Sequence, residues 1–170
     1  VGCLGDDEFG KEFINLFRDL GVNTQSTQID KNFSTRIIKV RIDKNGDRSF
    51  AGFINSQKLF ADEMLDRTVF ESNRISLNNL FKETKYLITG TNLLASDKSS
   101  EALLFLVEYA SKSGVSIVID ANWREIFWDN LDKSSQIQRQ DHIQKIKKFL
   151  LNGDILKLSN EEAILFFGNN

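Results

Sequence analysis

Between Ser116 and Asn130 the chain reads S-I-V-I-D-A-N-W-R-E-I-F-W-D-N, and this stretch constrains the fold more than any other. Ser116 to Ile119 is a short, β-branched, apolar run, the pattern of a buried parallel strand. It stops at Asp120, Asn122 and Arg124. Polar groups just beyond the carboxyl end of a strand occupy the position where open α/β sheets bind ligands. Arg124 brings a planar, permanently charged donor fork suited to phosphate, carboxylate or sugar oxygens. Asn122 can donate and accept. Trp123 and Trp128 are the only two tryptophans. A plain strand end gives the same letters: polar residues that cap the next element, and tryptophans that fill the core.

The rest of the chain repeats the strand-then-helix theme. Tyr86 to Thr89 predicts a second buried strand, with Gly90, Thr91 and Asn92 at its carboxyl end. Ser96 to Ser113 predicts a helix whose residues Ala102, Leu103, Leu106, Val107 and Ala110 share one face, ended by Gly114. Asp141 to Leu151 predicts another helix, and His142, the only histidine, sits on it among Lys and Gln as a solvated residue. Asp154 to Leu158 predicts a further strand, leading into Ser159-Asn160-Glu161-Glu162 and a short helix ending near Gly168. Parallel strands would bring all these ends to one edge of a sheet.

The amino-terminal part differs. Gly5 to Lys11, G-D-D-E-F-G-K, has the outline of a phosphate-binding P-loop, but Glu12 follows where Ser or Thr should hold a metal, and three acids would repel a phosphate. A helix capped by Asp6 or Asp7 fits better, with Phe9, Phe13, Phe17 and Leu20 at helical spacing and Gly21 as the stop. From Thr35 the pattern alternates. Ile38, Val40 and Ile42 interleave with Lys39 and Arg41, Asn45-Gly46 marks a turn, and a second strand runs from about Arg48 to Ile54, so a β-hairpin is expected. Asn55 to Lys85 is the least legible region, with amphipathic fragments near Ala61 to Leu65 and Leu77 to Phe81.

Composition excludes several classes. A chain of 170 residues can bury one sizeable core, and a formal net charge of −2 leaves no footprint for nucleic acid. No apolar run approaches the roughly 20 residues that span a bilayer, so no membrane partner is expected. The lone Cys3 cannot form an intrachain disulfide, which points to a reducing cytoplasm.

Taken in order, these segments resemble the ribokinase-like sugar kinases, the phosphofructokinase B-type family, and its fructokinase-like branch in particular. V-G-C-L-G-D-D-E-F-G resembles that family's G-x-x-G-x-D-x-x-G strand-to-helix segment. Residues 35–55 correspond to its β-lid, Asp120 to Trp128 to its D-P-N-x-R-x-x-x-W segment, and Lys157 to Glu162 to its K-x-S-D-x-E motif. Ala121 replaces the usual proline, which should loosen the backbone there, and Ser159 stands where many members have Asn. Phe53-Ile54-Asn55 lies about where acid-sugar kinases carry Tyr-Arg, and the missing arginine favours a neutral sugar.

The resemblance implies a Rossmann-like, mostly parallel sheet flanked by helices, with a small hairpin lid. It implies transfer of a phosphoryl group from ATP, with Mg²⁺, to a sugar hydroxyl. Asn92, Asn122 and Arg124 would bind the sugar, Lys157 and Ser159 the nucleotide, and Glu162 the metal through water. Asp120 would be committed to Arg124 beside it. The lid would close over the sugar and could pair two copies into a homodimer. The family's sugar-holding Asp would fall before Val1, and its anion hole and catalytic base after Asn170. Residues 1–170 would then be a partial sugar-kinase domain with no catalytic residue of its own, inactive in isolation. A non-catalytic sugar- or nucleotide-binding regulatory member of the same fold is the alternative. A nucleotide-dependent oxidoreductase is disfavoured, since no G-x-G-x-x-G follows a strand.

Overall fold

The computed structural model describes residues 1–54, 59–128 and 136–168. Asn55, and Asp129 and Asn130 at the end of the opening stretch, lie outside them. The chain forms two compact units, Val1–Leu65 and Asp66–Asn170.

In the first unit, β1 (Gly2–Gly5) runs into α1 (Glu8–Asp19), and β2 (Thr27–Asp30) returns parallel to β1. The P-loop outline is a capped helix start, as expected: Asp7 is the N-cap, and its Oδ1 accepts from the Gly10 N–H at 2.8 Å. The same carboxylate reaches across to Thr35, accepting from its N–H at 2.7 Å and its hydroxyl at 2.8 Å. Thr35 Oγ1 in turn accepts from the Gly5 N–H at 3.0 Å. Burial works against ionisation of Asp7, but the N–H groups of Gly10 and Thr35 and the Thr35 hydroxyl outweigh it and hold the carboxyl below its ordinary value.

The hairpin forms as a separate antiparallel pair, β3 (Ile38–Ile42) and β4 (Arg48–Phe53), with a register shift between Ile38 and Val40. Its loop is organised by Asp43, whose Oδ1 accepts from the N–H of Asn45 and of Asp47, while Gly46 takes a φ of 86°. Most of the hairpin is exposed on both faces, including Val40, Ile42 and Phe50, so it is less buried than a half-exposed strand pair. Its root is packed: the Arg36 guanidinium lies over the rings of both Phe53 and Phe60, which touch each other, and reaches Asp62 and Glu63.

The second unit holds α2 (Arg67–Ser72) and α3 (Arg74–Glu83), then β5 (Tyr86–Thr89), α4 (Asp97–Lys112), β6 (Ser116–Asp120), α5 (Gln136–Leu150), β7 (Ile155–Lys157) and α6 (Asn160–Phe167). β5, β6 and β7 form one parallel sheet in that order. The apolar face read on α4 is buried, and Ile117, Ile119, Ile146, Phe149 and Phe166 are core residues of this unit. α5 begins at Gln136, five residues before the expected start. His142 is not a solvated helix residue: it is half-buried, with its ring 4.7 Å from that of Trp128.

Asp66 opens this unit as the N-cap of α2. It accepts from the Thr68 hydroxyl at 2.6 Å and N–H at 2.8 Å and pairs with Lys98 at 2.9 Å. The Thr68 hydroxyl, then Lys98, hold its carboxyl down to about 2. A carboxyl lowered by folding stabilises the fold above its ordinary value of 3.8 and loses that contribution as pH falls towards 2. Asp66→Asn is therefore expected to be less stable than the wild type at pH 7. Urea melts should show the gap narrowing between about pH 4 and about pH 2; a gap of constant size would refute the assignment.

Candidate functional site

Parallel pairing of β5, β6 and β7 sends their carboxyl ends to one edge, and hydrogen bonds stitch the three strand-end segments together. Thr91, fully buried after β5, donates its hydroxyl to the Ala121 carbonyl at 2.5 Å. The Ala121 N–H donates to the Lys157 carbonyl at 3.0 Å, extending the β6–β7 ladder by one bond. A proline has no N–H and could not make this bond. The Ala121 N–H thus supplies a backbone tie that the usual proline could not make, set against the loss of the ring that fixes φ. Past it, Asn122 has a φ of 40°, the left-handed region that Asn tolerates better than most side chains. Trp123 then donates its N–H to Glu162 Oε1 at 2.6 Å.

The expected site residues fall along this edge. Asn92 begins a 3₁₀ turn, Asn92–Ala95, and its Oδ1 is buried with no hydrogen-bond partner among the described residues. Asn122 and Arg124 are exposed, and Arg124 donates from a terminal guanidinium nitrogen to the Trp123 carbonyl at 3.0 Å. The ion-pair partner that the structure gives Asp120 is Lys157, at 2.6 Å, where Arg124 was expected. This follows from the register: Asp120 and Lys157 are paired positions of β6 and β7, so their side chains leave the sheet on the same face.

Ser159 caps α6. Its Oγ accepts from the Glu162 N–H at 3.2 Å, and Glu162 Oε2 accepts from the Ser159 N–H at 2.8 Å, a reciprocal capping box. Glu162 is half-buried with both oxygens engaged by main-chain donors. A carboxylate has about four lone-pair sites, so two remain for water. That suits contact with a hydrated cation better than direct ligation. Among the described residues no group of three or more His, Cys, Asp or Glu is placed to hold a metal.

Trp128 is buried as the opening stretch suggested, with Trp123 half-buried 5.5 Å from it and edge-on to Phe166 at 6.3 Å. The Thr91, Ala121 and Trp123 links were not in the sequence reading. Thr91 and Glu162 stand out by residue type at strand and helix ends, but the main-chain groups they bond carry no mark in the sequence. Among the described residues no helix is long and apolar enough to cross a membrane.

Comparison with known proteins gives the family and the fold. The profile of the pfkB family carbohydrate kinase matches residues 1–170. The chain is 29% identical over 163 residues to probable fructokinase-5 of Arabidopsis thaliana, covering 96% of this chain and 45% of that one. Fructokinase from Xylella fastidiosa superposes with a TM-score of 0.79 at 23% identity, over 98% of this chain and 46% of that one. Its structure with bound ATP gives 0.78 at the same identity and coverage. Fructokinase from Vibrio cholerae O395, in its fructose-, ADP- and calcium-bound form, gives 0.77 at 21% identity, over 99% of this chain and 49% of that one. The chain thus spans about half the length of these relatives. At such identities the structures speak for the fold, which is the ribokinase-like α/β arrangement. With the profile covering every residue from Val1 to Asn170, the chain belongs to the pfkB family of carbohydrate kinases.

Proposed function

We propose that the full-length protein transfers the γ-phosphoryl group of ATP to a hydroxyl of a neutral sugar, with fructose the first candidate. The observation that carries this reading is the gathering of Asn92, Asn122, Arg124 and Lys157 at one sheet edge in a chain of this family. Relatives named fructokinases, and neighbours holding ATP or fructose with ADP, support the substrate pair. The absence of an arginine from Phe53-Ile54-Asn55, about where acid-sugar kinases carry Tyr-Arg, supports a sugar without a carboxylate.

In such a transfer the hydroxyl gives its proton to a general base, its oxygen bonds to the γ-phosphorus, the bond to the β–γ bridging oxygen breaks, and ADP leaves with the electron pair. Little covalent work falls to the protein, so its contribution is positioning and charge stabilisation. Arg124 would orient sugar or phosphate oxygens through its planar fork, and Asn122 would add a donor and an acceptor. Lys157, now held by Asp120, would meet the nucleotide phosphates together with the head of α6 at Ser159. Mg²⁺, when bound, would neutralise charge on the phosphates, and Glu162 would face it through water. No described residue is assigned as the hydroxyl's proton acceptor. The single buried Cys3 supports a reducing compartment such as the cytoplasm.

The test is Arg124→Lys in the full-length protein. An ammonium keeps the charge but not the fork, so kcat/KM for the best sugar should fall by about tenfold or more with the melting curve unchanged. Unchanged kinetics with every sugar would remove Arg124 from the site. Binding of sugar and ATP by the wild type without turnover would favour the regulatory alternative.

A further inference from the structure

Glu162 makes two bonds of different reach. Its bond to the Ser159 N–H is local and closes the cap of α6. Its bond to the Trp123 N–H spans 39 residues of sequence and lands between Asn122 and Arg124. The Asn122 backbone is in the left-handed region, so this loop needs ties to hold it. The Thr91 and Lys157 bonds secure Ala121, before Asn122. The Glu162 bond secures the peptide after Asn122, and as a carboxylate–N–H bond it is of the stronger, charge-assisted kind.

We infer that Glu162 is a positioning residue for the sugar: by holding the Trp123 peptide it sets where Asn122 and Arg124 stand. The inference rests on the sugar-kinase reading and adds to the water-mediated metal role a second one that needs no metal. A residue that acts only through a metal ion affects sugar binding only when the ion is present. A residue that holds the loop affects it with or without the ion. The two roles therefore separate in a metal-free, nucleotide-free experiment.

The experiment is calorimetric titration of the full-length wild type, Glu162→Ala and Glu162→Gln with fructose, ribose and a 2-keto-3-deoxy acid, in excess EDTA and without ATP. Circular dichroism and thermal melts establish that each variant is folded. For whichever sugar binds the wild type most tightly, Glu162→Ala should raise Kd by about tenfold or more. Glu162→Gln keeps the length and one acceptor oxygen, but its amide nitrogen cannot accept a second N–H, so its Kd should fall between the two. If Glu162→Ala fails to fold, Glu162→Gln alone carries the comparison. A Kd equal to the wild type's in the folded variants overturns the inference and leaves the kinase reading intact. Absence of sugar binding by a wild type that also turns over none of the three sugars overturns the kinase reading and this inference with it.

Discussion

Gly10→Ala is expected to destabilise the first unit by about 3 kcal/mol, near the top of the usual range for overpacking. The added Cβ would stand 2.2 Å from the Gly5 carbonyl oxygen and 3.1 Å from Thr35 Oγ1. The first neighbour is backbone, so no side chain can rotate to relieve the clash. Nor can Gly5 retreat: a Cβ there would itself lie 2.6 Å from the Thr35 nitrogen, and its own N–H is bonded to the Thr35 hydroxyl. The only relief is to move α1 away from β1, and Gly10 is the residue whose N–H the Asp7 cap holds. Denaturant melts of wild type and variant measure the loss. A variant within about 0.5 kcal/mol of the wild type, the range of unremarkable surface changes, would mean that the close approach of α1 to β1 is not required.

Arg36→Ala should cost as much or more. The Arg36 side chain is only 9% exposed; Nε meets Asp62 Oδ2 at 2.9 Å, a terminal nitrogen meets Glu63 Oε2 at 2.8 Å, and the guanidinium carbon lies 4.4 Å from the Phe60 ring centre. Removing one partner of a buried pair leaves the other charge uncompensated, a loss of about 3–5 kcal/mol. The variant should also acquire a characteristic pH dependence. Burial already pushes the Glu63 carboxyl above 4.5, opposed by the Phe60 N–H and by Arg36. Without Arg36 it rises further. A carboxyl raised by folding makes the fold favour the protonated form, so the penalty is largest above the folded pKa and shrinks as pH falls through it towards 4.5. Melts of the variant and wild type at about pH 8 and about pH 5 should differ less at the lower pH, and adding Glu63→Gln to the variant should recover part of the loss. A gap independent of pH would show that Glu63 is not the group left exposed to the penalty.

Both effects lie in stretches where the letters gave part of the answer. The helix start after Gly5 was legible because Asp7 and the acids around it match the needs of a helix amino terminus. Its long-range partner Thr35 was not, since a threonine hydroxyl advertises nothing about where it bonds. The alternation of β5, α4, β6, α5 and β7 was legible from β-branched runs and one-sided apolar helices. β2 was not, because T-Q-I-D offers a single large apolar residue and its strand character comes from pairing with β1. α2 and α3 escaped for a local reason: Asn73 ends one and caps the other, so neither helix has a long period of its own. The candidate site was legible as side chains and illegible as a framework. Asn122, Arg124 and Glu162 were marked by type and order, but the bonds that hold them use main-chain groups that every residue carries. His142 misled because its neighbours in sequence are polar, while the ring that covers it belongs to Trp128.

That framework bears on how such a protein can change over generations. The loop after β6 is anchored through the Ala121 N–H, the Ala121 carbonyl and the Trp123 N–H, none of which depends on the side chain borne there. A codon change at Arg124 therefore alters the side chain at the sheet edge while leaving these main-chain anchors in place, whereas Asn122, with its φ of 40°, admits a narrower set of replacements; proline at position 121 or 123 would delete an anchor outright. The side chains that hold these main-chain anchors are elsewhere, at Thr91 and Glu162. On the sugar-kinase reading, inherited variation at Arg124 could thus sample new ligand chemistries with the main-chain frame kept, the separation that lets one fold serve many substrates.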